Sequence, residues 1–560
     1  MDVMELAKRR GFFWPSFEIY GGAGGFYDYG PLGTLLKWNI IETWRKIFVI
    51  EEGFYEIDTP TVNPEEIFIA SGHVDHFVEQ MVRCKSCGEA YRVEDMLEEL
   101  RMSVESLTSE ETEEKLRNLK CPNCGGDFGK TEEFNTMFRT SIGPAGGKTG
   151  YLRPETAQGM FISFRRLSKI ARGKLPFGIA QIGRAYRNEI SPRQGVIRLR
   201  EFNMAEVEIF FDPEENSTHP KFKEVENEKI RILPAENQEE RKKGEEVEVT
   251  LREASERYFL NEFFSYYIWL TKRFLLEIGI PEKALRFRQQ LDEERAHYSA
   301  DTWDAEVKTE RFGWVEVAGH AYRTDYDLKR HMEFSGEDLS VFVAFESPRE
   351  VEKLKVYPRM ERLRKKMKGQ ALGKLIEITK KENEKILREL NEKGELEFDG
   401  VRLTREDFEV KKEKERVTGK KVIPHVIEPS YGIDRPIYCI LELNYLEEGE
   451  RIYLRLPPKI APIKCGVFPL VSKDGLPEVA KEVDSLLRKR GIYTYYDESG
   501  SIGRRYARMD EVGTPYCVTV DYQTLEDGTA TLRYRDTKEQ IRLRIEEIPS
   551  FILREMGVLC

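Results

Sequence analysis

Four cysteines, Cys84, Cys87, Cys121 and Cys124, form two C-x-x-C pairs, CKSCGE and CPNCGG, in a 41-residue window holding half of the chain's eight cysteines. Two such knuckles deliver four thiolates to a closed, tetrahedral zinc site. The glycine after each second cysteine lets the backbone turn around a metal. Redox use or two chance pairs are the competing readings; two matching knuckles argue against chance and favour structural zinc.

Two strand-like runs, FGIAQIGRAYRNE (177–189) and VIRLREFNMAEVEIFF (196–211), flank the turn-rich SPRQG. On regular strands Arg187 and Glu189 share one face, as do Arg198, Arg200, Phe202, Met204 and Glu206. Arginine offers phosphate a planar donor fork, an aromatic ring offers a base a stacking surface, and a carboxylate can hold an amino group or a metal. This suits ATP; a salt-bridged edge hairpin is the other reading. In VIEPSYGIDR (426–435), Glu428 and Ser430 share a strand face, and Arg435 falls on the first turn of the next helix. Glu316 sits among apolar residues in WVEVAGHAYRTDYDL, where an internally paired carboxylate is the alternative. In LRPETAQG, Glu155 stands at the mouth of a helix that Thr156 can cap. PAGGKTG is no phosphate loop, because Ile142 occupies the place of the first required glycine. There is no Rossmann fingerprint, G-x-S-x-G elbow or H-E-x-x-H helix.

The elements that position these groups belong to more than one domain, since 560 residues exceed what one core usually supports. Composition is globular, with 40% hydrophobic and 34% charged residues, and a net charge of −11 argues against indiscriminate nucleic-acid adhesion. No apolar run reaches membrane-spanning length and no signal peptide opens the chain, so the expected compartment is the cytoplasm. LLKWNIIETWRKIFVI predicts a helix ended near Gly53, followed by a short strand that Pro60 stops. The aromatics of 252–278 read as core. The spacing gives a main domain in pieces at 1–82, 128–211, 301–347 and 422–459, interrupted by a zinc insert (83–127), a helical insert (212–300) and a charged insert (348–421). The charged insert is a solvated face or an RNA-facing arm. Within it KLIEITKKENEKILREL reads as one helix. After LPPKIAPIKCG, strands alternate with helices in a compact α/β domain at 460–560.

YGGAGGFYDYGPLG, SGHVDHF, YLRPETAQG, YRNEISPRQG, REFNMAEVE, RAHYSADTWDAE, WVEVAGHAYRTDYDL, VIEPSYGIDR and ESGSIGRRYARMDEVGTPYCVTVD together resemble the class II aminoacyl-tRNA synthetases. Within that class the chain resembles the archaeal and eukaryotic dimeric glycyl branch, over almost its whole length. The resemblance implies an α+β fold with an antiparallel sheet flanked by helices and a C-terminal anticodon-binding domain. It implies ATP-dependent attachment of glycine to tRNA(Gly) through glycyl-adenylate, by a homodimer with Pro60 at its interface. By the same resemblance Arg187 clamps the α-phosphate, Arg435 the γ-phosphate, and Arg198 reaches the phosphates. Phe202 stacks on adenine, Glu189 contacts its amino edge, and Glu316 helps hold ATP-bound Mg²⁺. Glu155, Glu206, Glu428 and Ser430 surround the glycine ammonium, and Arg504, Arg505 and Arg508 meet tRNA. The alternatives are a synthetase for another small amino acid or an inactive RNA-binding paralogue; both motif arginines are present, against the latter.

Overall fold

The computed structural model describes residues 3–98, 109–144, 147–192, 194–240 and 243–557. Part of the helical middle expected of the zinc insert, Arg193 of the SPRQG turn, two residues of PAGGKTG and two of the polar stretch near 240 lie outside these residues. The chain divides into two units, Ser340–Val422 and the remainder.

The larger unit is built on a nine-stranded sheet. In chain order its strands are β1 (Tyr55–Glu56), β2 (Phe177–Tyr186), β3 (Glu201–Phe211), β4 (Lys229–Leu233), β5 (Val247–Thr250), β6 (Leu285–Gln289), β7 (Asp301–Thr309), β8 (Gly313–Thr324) and β9 (His425–Gly432). Across the sheet they run β5-β4-β6-β7-β8-β9-β3-β2-β1. Pairing is antiparallel from β6 to β2, with parallel contacts at β4/β6 and β2/β1. An antiparallel sheet of this kind lacks the glycine-rich crossover of a Rossmann fold, which accounts for the missing fingerprint.

Helices cover the sheet: α1 (Pro31–Trp44), α2 (Ala157–Ile170), α3 (Glu262–Glu277), α4 (Tyr326–Ser335) and α5 (Asp434–Leu443). After α1 a π-helical turn, Arg45–Glu51, runs towards Gly53, which holds φ +71°. Helix α3 buries Phe263, Phe264, Tyr266, Tyr267 and Phe274, so its aromatics are core. Trp44, Phe48 and Phe274 pack around Tyr431 of β9. The Tyr431 hydroxyl meets Thr271 Oγ1 at 2.5 Å. That packing fixes the back of the strand whose other residues face the site.

Residues 212–300 differ from the expected helical insert: they supply β4, β5 and β6 to the main sheet. Charged residues between these short strands mask their alternation in the sequence. β8 stops at Thr324, and α4 follows.

The zinc insert opens and closes with paired strands, Val78–Cys84 and Phe128–Asn135. Its own small core contains Val82, Tyr91, Val93, Leu97, Leu116 and Phe128. The C-terminal domain has a five-stranded sheet from β10 (Cys465–Pro469), β11 (Thr494–Tyr496), β12 (Tyr516–Val520), β13 (Thr529–Tyr534) and β14 (Gln540–Arg544), in the order β11-β10-β12-β13-β14. Helices α6 (Leu476–Lys489), α7 (Ile502–Glu511) and α8 (Ile548–Glu555) complete it.

The Ser340–Val422 unit is a long antiparallel ribbon, Val341–Pro358 paired with Phe408–Val422, with a core of Val356, Leu363, Leu375, Ile386, Leu390, Leu403 and Phe408. The segment expected as one helix is two, Gln370–Lys381 and Asn383–Glu392, broken at Glu382. The Asn383 side chain accepts from Val356 N–H and donates to Val356 O, each at 2.8 Å, which ties the break to the ribbon.

Candidate active site

The middle of the sheet gathers acids around one arginine. Arg323, at the end of β8, is fully buried. It donates to Glu428 of β9 at 2.9 and 3.0 Å, to Asp327 of α4 at 2.8 and 3.1 Å, and to Glu155 at 3.5 Å. Its guanidinium lies 3.7 Å from the ring centre of Tyr298. Glu155 also accepts from Gln158 Nε2 at 2.9 Å and has His73 Nε2 at 3.3 Å. Burial raises the pKa of Glu155, but His73 and Arg323 outweigh it and hold the carboxyl well below the usual range. Glu428 goes the other way: burial dominates over Arg323 and pushes it up to about 8.

Glu206 of β3 completes the acids named from the sequence. Its Oε2 accepts from the Thr156 backbone N–H at 2.6 Å and from the Thr156 hydroxyl, and its Oε1 accepts from Ser430 Oγ at 3.0 Å. Thr156 is therefore bonded to Glu206 and makes no side-chain cap for α2. The β3/β9 register sets Glu206 against Ser430. Glu155, Glu206, Glu428 and Ser430 thus converge from three chain segments. Beneath them Gly183 admits Arg153, whose Nη2 would stand 2.1 Å from a Cβ at that position.

The arginines take up a second region of the larger unit. Strand β2 ends at Tyr186, so Arg187 and Glu189 lie in the hairpin loop and do not share a strand face as expected. The loop is closed by Arg187 N–H to Arg200 O at 3.0 Å. Arg187 donates to Pro154 O at 3.3 Å, and its guanidinium stands 5.5 Å and 5.6 Å from the Phe77 and Phe202 ring centres. β3 begins only at Glu201, so Arg198 and Arg200 leave the face that Phe202, Met204 and Glu206 share. Arg200 donates to the carbonyls of Glu189 and Gly24 and locks the hairpin loop to the glycine-rich segment. Arg198 turns to the zinc insert, bonding Asp95 at 2.7 Å, with Glu189 at 3.7 Å. Arg435 sits on the first turn of α5, as expected, and donates to Ile197 O and Glu316 O, each at 3.0 Å. Its Nη1 is 3.3 Å from the Glu316 carboxylate, and both side chains are over a third exposed. Glu316 therefore pairs with the arginine at a solvent-facing edge, unlike the buried Glu306 opposite it in the register, which Arg286 and Arg288 neutralise.

In the C-terminal domain the three arginines part company. Arg504 is exposed. Arg505 is buried and donates to the carbonyls of Gly500 and Pro469, which removes it from the expected RNA surface. Arg508 is paired with Asp497. On α7, residues 504 and 508 share one face and 505 lies on the next, which is the face that packs inward.

The four cysteine Sγ atoms lie within 4.8 Å of one another. Cys84 and Cys124 are 3.4 Å apart, Cys87 and Cys121 3.7 Å. An ideal tetrahedron with Zn–S of about 2.3 Å has edges of about 3.8 Å, so the set fits one zinc ion. Gly88 and Gly125 take φ +75° and +71° directly after the second cysteine of each knuckle. Replacing Cys84 by serine should lower zinc content and expose the insert to protease before the rest of the chain, read by metal analysis and limited proteolysis. A metal-free variant with wild-type protease resistance would refute a structural role.

Arg323, Asp327 and His73 were not singled out from the sequence, although all stand inside motifs that were, and Thr156 was read only as a helix cap. The only signal available was an arginine seven residues after Glu316 in an apolar run, where a buried cation demands buried acids.

This arrangement, an antiparallel sheet with arginines on the hairpin loop and on the helix after the last central strand, defines a class II aminoacyl-tRNA synthetase. Residues 138–444 match the family model described as tRNA synthetase class II core domain (G, H, P, S and T), and residues 464–555 match the anticodon binding domain. The glycine–tRNA ligase of Pyrococcus horikoshii is 55% identical over 98% of this chain and 97% of its own length. That of Methanocaldococcus jannaschii is 50% identical over 98% of each. The chain belongs to the glycine–tRNA ligase family, enzymes of tRNA aminoacylation. Among the described residues, no helix is long and apolar enough to cross a membrane.

Proposed function

We propose that the chain attaches glycine to tRNA(Gly) in two steps in the cytoplasm. The glycine carboxylate attacks the α-phosphate of ATP, forming glycyl-adenylate and releasing pyrophosphate. The terminal ribose hydroxyl of tRNA then attacks the mixed anhydride, releasing AMP. The observation that carries this reading is the convergence of Glu155, Glu206 and Glu428 with Ser430 in one buried cluster. Glycine offers no side chain to grip, so its selection depends on its ammonium and on the exclusion of any larger group. Charge-assisted hydrogen bonds donated by the ammonium to fixed carboxylates supply the first, and a close-packed wall supplies the second. The cognate amino acid is the smallest, so no editing site is required.

Arg187 is poised by the hairpin loop to meet the α-phosphate, with Phe202 available to adenine and Glu189 to its amino edge. Arg435 takes the γ-phosphate end, and Arg198 approaches the phosphates once it leaves Asp95. Glu316, at its exposed edge, would hold Mg²⁺, which neutralises phosphate charge when bound. These steps depend on positioning and preorganised charge; no side chain is needed as a general base.

For tRNA, Arg504 is the arginine of its trio that remains available. The Ser340–Val422 unit has 23 Lys and Arg against 17 Asp and Glu, while the whole chain is at −11. That local excess favours the RNA-facing reading of the charged insert over a merely solvated face. We extend the reading to a homodimer with Pro60, which is exposed, at the interface.

Glu206→Ala tests the assignment. Loss of the buried acceptor of Thr156 and Ser430 should cost about 3 kcal/mol, or roughly 10²-fold in glycine-dependent ATP–pyrophosphate exchange, with ATP affinity unchanged. Unchanged exchange would sink the pocket assignment. Exchange with alanine, serine or proline in place of glycine would identify another small-amino-acid synthetase, and no exchange at all an inactive RNA-binding relative.

A further inference from the structure

One buried acid has no part in the chemistry above. Glu208 follows Glu206 by two residues on β3, so both point to the same face. Its side chain is fully buried, and neither carboxyl oxygen has a hydrogen-bond partner. The β3/β9 register pairs Glu206 with Ser430 and Ile209 with Ile427, which puts Glu208 directly opposite Glu428. Like charges in directly opposed positions of neighbouring strands repel.

The surrounding groups do not relieve this. β2 places apolar Ile179 on the other side of Glu208. Glu206 stands on its own strand and Glu428 on β9, Arg323 comes from β8, Asp327 and His331 from α4, Glu155 and Arg153 from the segment before α2. The fork of Arg323 is already divided among Glu428, Asp327 and Glu155, and Arg153 is spent on the carbonyls of Arg184 and Thr59. An ionised carboxylate with no donor in such a place is heavily penalised. Burial first, and then Glu428, push the Glu208 pKa well above the carboxylate range.

We propose that Glu208 is a positioning residue for amino-acid binding: neutral in the free enzyme, it gives its proton to bulk buffer when an ammonium group enters the acid cluster. This rests on the reading that glycine binds among Glu155, Glu206 and Glu428. The step breaks the carboxyl O–H bond, leaves the electron pair on the carboxylate and transfers the proton to buffer; nothing is oxidised. The incoming cation adds a second positive charge to a cluster in which one arginine serves several acids, and that charge makes ionisation of Glu208 favourable. Glycine, which carries its ammonium throughout the neutral range, then binds with net proton release. Its association constant rises with pH, by up to about tenfold per unit where a full proton is released.

The test is titration calorimetry of the full chain with glycine, a non-hydrolysable ATP analogue present, in buffers of different ionisation enthalpy between pH 6.5 and 8. The wild type should release a proton fraction that Glu208→Gln, equal in shape and unable to ionise, loses, together with the pH slope of glycine affinity. No release by the wild type, or equal release by Glu208→Gln, overturns the proposal. Unimpaired glycine binding by Glu206→Ala would strike down the pocket assignment itself, and the proposal with it. If Glu208→Gln does not fold, infrared difference spectra of the wild type decide: the protonated-carboxyl C=O stretch should disappear on adding glycine, and its persistence overturns the proposal.

Discussion

Replacing Arg323 by methionine should abolish glycine-dependent exchange and destabilise the larger unit by about 3–5 kcal/mol, the usual cost of stripping one partner from a buried ion cluster. The size follows from what the side chain holds. It is fully buried and supplies donors to Glu155, Asp327 and Glu428 at once. Methionine keeps the volume, leaves Glu428 and Asp327 without their cation, and leaves Glu155 with only His73 and Gln158. A urea midpoint for the full chain reads the stability. Arg323→Lys should recover part of it, since one ammonium restores charge but cannot reproduce a fork. The variant should also respond to pH in the reverse sense to the wild type. In the wild type the depressed pKa of Glu155 contributes stability that is present above the ordinary carboxylate pKa and is lost as pH falls through the depressed value. Without Arg323, Glu428, which burial already pushes up to about 8, is relieved by protonation, so acidification should narrow the gap between the two proteins. A wild-type urea midpoint for the methionine variant would show that the acids do not depend on the arginine.

Arg187→Ala should leave stability almost untouched and lower exchange by about 10²–10³-fold, as removal of a preorganised donor to transition-state charge does. Here the structure separates the two effects. The Arg187 side chain donates one long bond, 3.3 Å to Pro154 O, and otherwise lies against the rings of Phe77 and Phe202. Little of the fold rests on it. Glycine affinity should be unchanged, because the acid cluster is built without it. A fall in glycine affinity equal to the fall in exchange would mean that Arg187 acts on the pocket and not on the phosphate.

The contrast between these arginines shows where reading the sequence succeeds. Arg187, Arg435, Glu206 and Glu428 stand in motifs whose residue types already specify the chemistry, and alternation along β3 and β9 put Glu206, Glu428 and Ser430 on usable faces. Alternation does not reveal where a strand stops. The runs through 177–189 and 196–211 continue the pattern past Tyr186 and before Glu201, so Arg187, Glu189, Arg198 and Arg200 read as strand residues although they form the connecting loop. Arg323 and Glu208 were hidden for a different reason. Glu155 and Glu428 lie 168 and 105 residues from Arg323, and Glu428 lies 220 from Glu208, and a charged residue in a strand reads by default as solvent-facing. Residues 212–300 were misread because short strands between charged turns resemble an appended segment, while the strand that joins them to the rest of the sheet, β7, lies beyond them.

The two ends of the Ser340–Val422 unit are partners: Val341 pairs with Val422 across the ribbon. Paired residues of an antiparallel ribbon lie about 5 Å apart, a span that a two-residue turn closes. For the strands and helices on either side, the whole excursion is therefore equivalent to a hairpin loop. It behaves as a parenthesis in the chain: its length, charge and internal fold can be rewritten by evolution without shifting the register of β8 against β9, on which the acid cluster depends. A basic appendage can thus diverge in length and charge while the acid cluster stays fixed.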